Sequence, residues 1–399
     1  MRKSGIAGLS VVIAAGTISA PFVAGAATGT TANLYAKTTV GKQLAELKGS
    51  DTVKYDYFGV AAAISGTTAV VGASGHAGGG RAYVFTKTSK GWKQAGELKG
   101  SDTIAGDDFG AAVAISGTSI VIGAQGHGLY AGRAYVFTKT SKGWKQAGEL
   151  KGSDTVAGAQ FGGSVTIAGT TAVIGAANAA TASGRAYVFA KTAKGWKQAA
   201  ELKGSDTTTN DGFGNAVSIS GTTVIIGAHY HAQISGRAYV FAKTAKGWKQ
   251  AAELKGSDTV ADDYFGASVG ISGTTAVIGA DNHATRTGRA YVFTKTAKGW
   301  KQAAELKGSD SVVGDYFGNA VGISGTTIIT TSSNHADSAG RAYVFTKTGK
   351  GWKQAVELKG TGAGAPDGFG TSVGISGTTA IVGANVQAVY AGRAYVFQV

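Results

Sequence analysis

The chain of 399 residues has no cysteine, only 2 prolines and a single methionine, and just 15% of its residues are charged. Without cysteine no disulfide framework can hold the fold, so its stability must come from packing. The scarcity of proline, with glycine that does not recur at every third position, excludes collagen. Sparse charge is a poor match to coiled coils and long surface helices, and 43% apolar content excludes a disordered chain. Glycine is what abounds. Its 65 residues lie far above the usual ~7%. They point to an all-β protein with many tight turns, where glycine supplies positive φ and lets backbones approach closely.

Arg2 and Lys3 precede an apolar stretch from Gly5 to Val23, and Ala24-Gly25-Ala26 has the small-x-small pattern that a signal peptidase reads. The pattern predicts a signal peptide over residues 1–26 and an N-terminal linker over 27–41. The mature protein is then secreted or held at the cell surface, outside the cytoplasm. Ser, Thr and Pro21 within the stretch argue against a permanent anchor, an uncleaved anchor being the alternative. No later segment holds the ~18 consecutive apolar residues needed to span a bilayer.

From there the chain repeats. Phe-Gly pairs begin at Phe58, Phe109, Phe161, Phe213, Phe265, Phe317 and Phe369, and a Gly-Arg-Ala-Tyr-Val-Phe hexamer begins at Gly80, Gly132, Gly184, Gly236, Gly288, Gly340 and Gly392. One unit predicts four strands: Phe109 to Ile115, with alternating large and small residues; Ser119 to Ala124 after a Gly117-Thr118 turn; Gly132 to Thr138; and Trp144 to Lys151. Four antiparallel strands every ~50 residues, seven times over, predict a seven-bladed β-propeller spanning residues 42–399. Each blade's bulky face packs on the small face of its neighbour. The last unit stops after its third strand, and an orphan fourth strand, Lys42 to Lys48, precedes the first Phe-Gly. Pairing the two closes the ring and removes an exposed sheet edge.

At these residues the sequence resembles the FG-GAP repeat family, the seven-bladed propeller repeat also found in integrin α-chain heads. Phe109-Gly110 is followed by Gly123-Ala124-Gln125, so the Pro of the family name is missing, as it is in every copy; Thr331-Ser332 replaces Gly-Ala in the sixth. The resemblance implies a calcium-binding DxDxDG-type loop between the first two strands in some members. Here a short Gly-Thr turn without carboxylates, as at Gly66-Thr67 or Gly273-Thr274, takes its place. No metal site or cofactor is therefore carried over.

Strand alternation places the turns after strands one and three on one end of the disc and the loops after strands two and four on the other. The first end carries three lysines in each of six hairpins: Lys87, Lys90 and Lys93; Lys139, Lys142 and Lys145; Lys191, Lys194 and Lys197; Lys243, Lys246 and Lys249; Lys295, Lys298 and Lys301; Lys347, Lys350 and Lys353. Such a ring attracts polyanions, an anionic wall polymer or glycan among them, although lysines in exposed turns also serve solubility alone. The other end is nearly neutral, with all 16 Asp, all 6 His and the repeated Arg that opens strand three.

On that end His76, His127, His231, His283 and His335 share one repeat position, Asp56, Asp107, Asp211, Asp263, Asp315 and Asp367 stand two residues before Phe-Gly, and Tyr57, Tyr264 and Tyr316 stand one before it. They form a candidate ring for a sugar, a peptide or a metal. Each has a plainer role: the Asp caps its loop or pairs with the Arg, and the His hydrogen-bonds its loop. Trp92 and its equivalents share parity with Leu98, which predicts one common face packed on a neighbouring blade. No G-x-S-x-G, HExxH or P-loop pattern appears, and recurring groups do not give one asymmetric catalytic constellation. The expected function is a non-catalytic, monomeric binding or adhesion scaffold for an extracellular glycan, wall polymer or protein, without specific nucleic-acid binding. A hydrolase or lyase acting on a polysaccharide or phosphoester, and a purely structural surface protein, are the alternatives.

Overall fold

The structure, a computed structural model, describes residues Val40–Val399. The predicted signal segment and nearly all of the linker lie outside them. Within them the chain forms seven four-stranded antiparallel sheets arranged as propeller blades. Blade 2 is typical, with an inner strand Ala112–Ser116, then Ser119–Ala124, Arg133–Thr140 and an outer strand Gly143–Leu150. Gln43–Leu47 pairs with Arg393–Gln398, bringing Leu47 opposite Ala394, so the N-terminal strand completes blade 7 as expected. Among the described residues no helix is long and apolar enough to cross a membrane.

Phe109 and Gly110 were expected to begin the inner strand of blade 2, which starts instead at Ala112. Phe109 bridges in parallel to Gly80 of the preceding blade, a bridge found at six seams, while Gly110 N–H donates to the Gly123 carbonyl of its own blade at 2.9 Å. Backbone crowding explains this. Gly110 has φ +96°, and a methyl group on Gly72 of blade 1 would fall on its carbonyl oxygen. Phe109, thereby fixed, is fully buried with its ring 5.5 Å from Tyr135 and 6.1 Å from Phe137. In the sixth copy Thr331 replaces the crowded glycine. Phe369 then pairs with Ala384 of its own sheet, whose inner strand starts at Phe369.

The core is divided among the seven seams. At the first of them blade 2 contributes Phe109, Ile120, Ile122, Tyr135 and Phe137, and blade 1 contributes the smaller Val70, Ala82, Val84 and Leu98. Bulky face on small face is the expected packing. The tryptophans correct one detail. Leu98 faces blade 2, whereas Trp92 packs in the cluster shared with blade 7. Equal parity fails because a bulge shifts the register between Val84 and Phe85, leaving Ala95 unpaired and turning the strand over.

Two polar rings reinforce the seams. On the outer side Gln146 accepts from Ser101 N–H at 3.0 Å and donates to its hydroxyl at 3.0 Å, and Gln43 holds Thr361 N–H at 2.8 Å where the ring closes. Around the central channel, the amide of each Gly-Thr turn donates to a serine hydroxyl of the preceding blade, from Gly66 to Ser376 at 3.0 Å through Gly377 to Ser324 at 3.1 Å. Ala168 interrupts this ring, so the Gly221 amide lacks that acceptor. Ala168→Ser is expected to raise stability by about 0.5–1.5 kcal/mol, measured by denaturant unfolding; a destabilised variant would contradict the ring's role.

Candidate functional site

On the Phe-Gly end, the histidines and aspartates of the repeat satisfy one another. In blade 2 the Asp107 carboxylate accepts the Ile104 N–H at 2.9 Å, capping its own loop, and the same oxygen lies 2.8 Å from His127 Nδ1. His127 Nε2 lies 3.8 Å from Asp102, which accepts the Tyr135 hydroxyl at 2.7 Å. Burial, and next the hydrogen bond to Asp102, push the Tyr135 phenol far above its usual range. The same Asp–His–Asp–Tyr arrangement holds His76, His231, His283 and His335 through Asp56, Asp211, Asp263 and Asp315. The expected Asp–Arg pair does not form. Each repeat Arg pairs with the Glu of the outer strand instead, as Arg133 does with Glu149 at 2.7 Å, because Glu149 lies opposite Tyr135 at the same end of the sheet.

Copies that depart from the pattern depart together. Blade 3 has Ala159 in place of the Asp and Ala179 in place of the His, both buried in one apolar cluster. Blade 7 has Gln387 in place of the His and Gly362 in place of the second Asp; Gln387 takes over the Tyr395 hydroxyl at 2.6 Å, and burial raises that phenol to about 12. Asp206, His231 and Glu253 come close enough for one ion, but Glu253 is paired with Arg237 at 2.8 Å and His231 with Asp211 at 2.8 Å.

The copies differ most nearer the channel. One variable position follows the second strand: Ser74, Gln125, Ala177, His229, Asp281, Ser333 and Asn385. A second stands just before Phe-Gly: Tyr57, Asp108, Gln160, Gly212, Tyr264, Tyr316 and Gly368. A third follows Phe-Gly: Val60, Ala111, Gly163, Asn215, Ala267, Asn319 and Thr371, all seven of which ring the channel mouth. The second position has positive φ in every copy, so its five non-glycine residues accept a strain of about 1–2 kcal/mol each. Of the sequence candidates, only Tyr57, Tyr264 and Tyr316 belong to this set. Tyr57 meets Tyr390 at 5.4 Å, and Tyr264 meets His229 and Tyr230, each at 5.9 Å.

Where blade 3 carries Gly163 and Ala177 and blade 4 carries Gly212, the mouth opens into a cavity of about 420 Å³ that reaches Gln125 of blade 2. Five carboxamides line it, from Gln125, Gln160, Asn178, Asn210 and Asn215, together with His229 and Tyr230 and no charged side chain. His229 packs on Tyr230 with ring centroids 3.8 Å apart, and burial lowers its imidazole pKa to about 4, so it is neutral. Two buried acceptor or donor atoms in this wall have no partner within the protein: His229 Nδ1 and Asn215 Oδ1. Asn215 Nδ2 donates to Gly266 and Ala267 carbonyls at 3.1 and 3.2 Å, which fixes the amide. At the same position in blade 6, Asn319 Oδ1 does have donors, the Thr331 hydroxyl at 3.0 Å and Ser333 N–H at 3.2 Å. The signal for this wall in the sequence is carried only by comparison of the seven copies position by position.

The fold and its mouth thus define a repeat propeller with a constant frame and one asymmetric face. The FG-GAP repeat model matches residues 42–85, 92–137, 144–189, 196–241, 248–293, 300–345 and 352–397, and the chain belongs to that family. Among solved structures, the crystal structure of Saccharomyces cerevisiae Sqt1 aligns with 90% of this chain and 99% of that one, at 14% identity and a TM-score of 0.48. No curated protein matches the sequence.

Two predictions follow from the polar groups of this face. Asp107→Ala is expected to cost about 1–3 kcal/mol by stranding His127, and adding His127→Ala to recover part of that loss, as Ala159 and Ala179 already do in blade 3; additive losses in the double-mutant cycle would contradict the pairing. Asp281 is the second. Burial raises its carboxyl to about 6, above the unfolded value, so its ionised form destabilises the fold at neutral pH and this penalty vanishes as pH falls through 6 toward 4. Asp281→Asn is therefore expected to stabilise the protein by about 1–3 kcal/mol near neutral pH and to make little difference near pH 4, read from denaturant melts at both values.

Proposed function

We propose that this protein is an exported, non-catalytic binding scaffold that takes a neutral, hydroxyl-rich ligand, a glycan, at the mouth of its Phe-Gly face. The carrying observation is the cavity of blades 2 to 4, opened by small residues and walled by carboxamides, a neutral imidazole and an aromatic ring without any formal charge. Carboxamides place a donor beside an acceptor, as neighbouring sugar hydroxyls do, and an aromatic face covers the apolar side of a pyranose ring. An anionic or cationic ligand would enter without a counter-charge. The five outer His–Asp clusters first suggested repeated equal sites; the mouth favours one composite site, because its residues differ in every blade.

Gly212→Tyr tests this reading. Gly212 has φ +67°, close to the +56° to +61° of Tyr57, Tyr264 and Tyr316 at the same position, so the substitution fills the cavity with a residue its siblings already accommodate. After a glycan array identifies a ligand, calorimetric titration is expected to show affinity reduced at least about tenfold, with the fold kept and stability lowered only by about 1–2 kcal/mol, the strain of a side chain at this φ. Undiminished binding would place the ligand elsewhere, and release of cleaved product would contradict a non-catalytic role. Because His229 stays neutral down to about 4, affinity is expected to be flat between about pH 5 and 8.

A further inference from the structure

We propose that the opposite end of the disc docks on a planar anionic surface, a bilayer carrying anionic headgroups, and so holds the Phe-Gly face away from it. The charge pairing of the molecule points there. Seven Arg–Glu pairs and ten His–Asp contacts account for every ion pair among the described residues, and no lysine takes part in one. All seven glutamates are committed to arginine at the other end of the sheets. The eighteen hairpin lysines are all exposed and face no acid.

Their placement selects a plane over a groove. In each of the first six blades the third strand has eight residues ending in Thr and the outer strand eight residues beginning with Gly, from Arg81–Thr88 and Gly91–Leu98 to Arg341–Thr348 and Gly351–Leu358. Each turn is braced alike: Thr88 Oγ1 donates to the Gly91 carbonyl at 2.8 Å and accepts from Lys90 N–H at 3.2 Å, with the same pair of bonds in the other five. Equal hairpins on a closed ring bring Lys90, Lys142, Lys194, Lys246, Lys298 and Lys350 to one level. A flat anionic layer meets all six at once, whereas a linear polyanion would have to bend round the rim. Beside them at the tips stand only Ser89, Ser141, Ala193, Ala245, Ala297 and Gly349, with nothing to insert into a membrane. Lysine supplies hydrated point charges and not the planar fork that selects one phosphate group, so the contact responds to surface charge density and to salt.

Sedimentation with vesicles tests this. The protein is expected to pellet with phosphatidylcholine vesicles containing phosphatidylglycerol, to stay in solution with pure phosphatidylcholine, and to be released as salt rises. A Lys90→Gln, Lys142→Gln, Lys194→Gln variant is expected to lose affinity on the order of a hundredfold while its thermal melt is unchanged. Equal sedimentation with both vesicles, indifference to the three substitutions, or capture by soluble polyphosphate without any vesicle binding would each overturn the proposal, the last making the ring a site for linear polymers.

Discussion

Everything in this propeller depends on how closely one blade's backbone approaches the next. The contact is glycine on glycine: the Gly-Ala glycine of one blade lies against the Phe-Gly carbonyl of the following one, with no room for a side chain at either. That approach bridges the Phe to the preceding blade and buries it among the Tyr and Phe of strand three. Without disulfides to lock the ring, it is held by six such seams, a seventh at Thr331, and the N-terminal strand Gln43–Leu47 that completes blade 7. The sixth copy shows the constraint by its exception. With Thr331 in place of glycine, Phe369 of the next blade pairs with Ala384 of its own sheet.

A rigid, repeated frame leaves few places where change is cheap. Substitution in the Arg-Ala-Tyr-Val-Phe strand disturbs a seam, and substitution of one member of an Asp–His pair strands the other, which is why both were replaced together at Ala159 and Ala179. The channel mouth is different. Its three positions per blade hang on the frame, and there the copies differ, with Gln, His, Asp, Asn, Tyr and Gly among them. Function is therefore sought where the repeat is broken and not where it is strictest. The proposed docking of the lysine end would turn that face outward.

Most of the fold was legible because a 52-residue period, once per blade, writes the same strands seven times, and because an unpaired strand at each end of the chain implies its partner. What escaped has a local cause in each case. The bulge at Ala95 is silent in alternation, so Trp92 and Leu98 were read onto one face when they lie on two. The outer-strand Glu was invisible as the partner of Arg133 because pairing needs the register of strands three and four, whereas the nearby Asp offered itself by position alone. The repeated His and Asp drew attention by their regularity, yet regularity marked their structural task. Conversely, Asn215 and His229 are unremarkable in one dimension; their unpartnered atoms and shared cavity appear only when blades 3 and 4 are side by side.

The central claim, that the constant frame carries the fold and the mouth carries recognition, is tested most directly by a crystal structure of the protein with a glycan that it binds. The account predicts the sugar in the cavity between blades 2 and 4, with hydroxyls on Asn215 Oδ1 and His229 Nδ1 and a ring against Tyr230. Density on the outer Asp–His–Asp–Tyr clusters, or on the lysine hairpins, with the cavity holding only solvent, would contradict it.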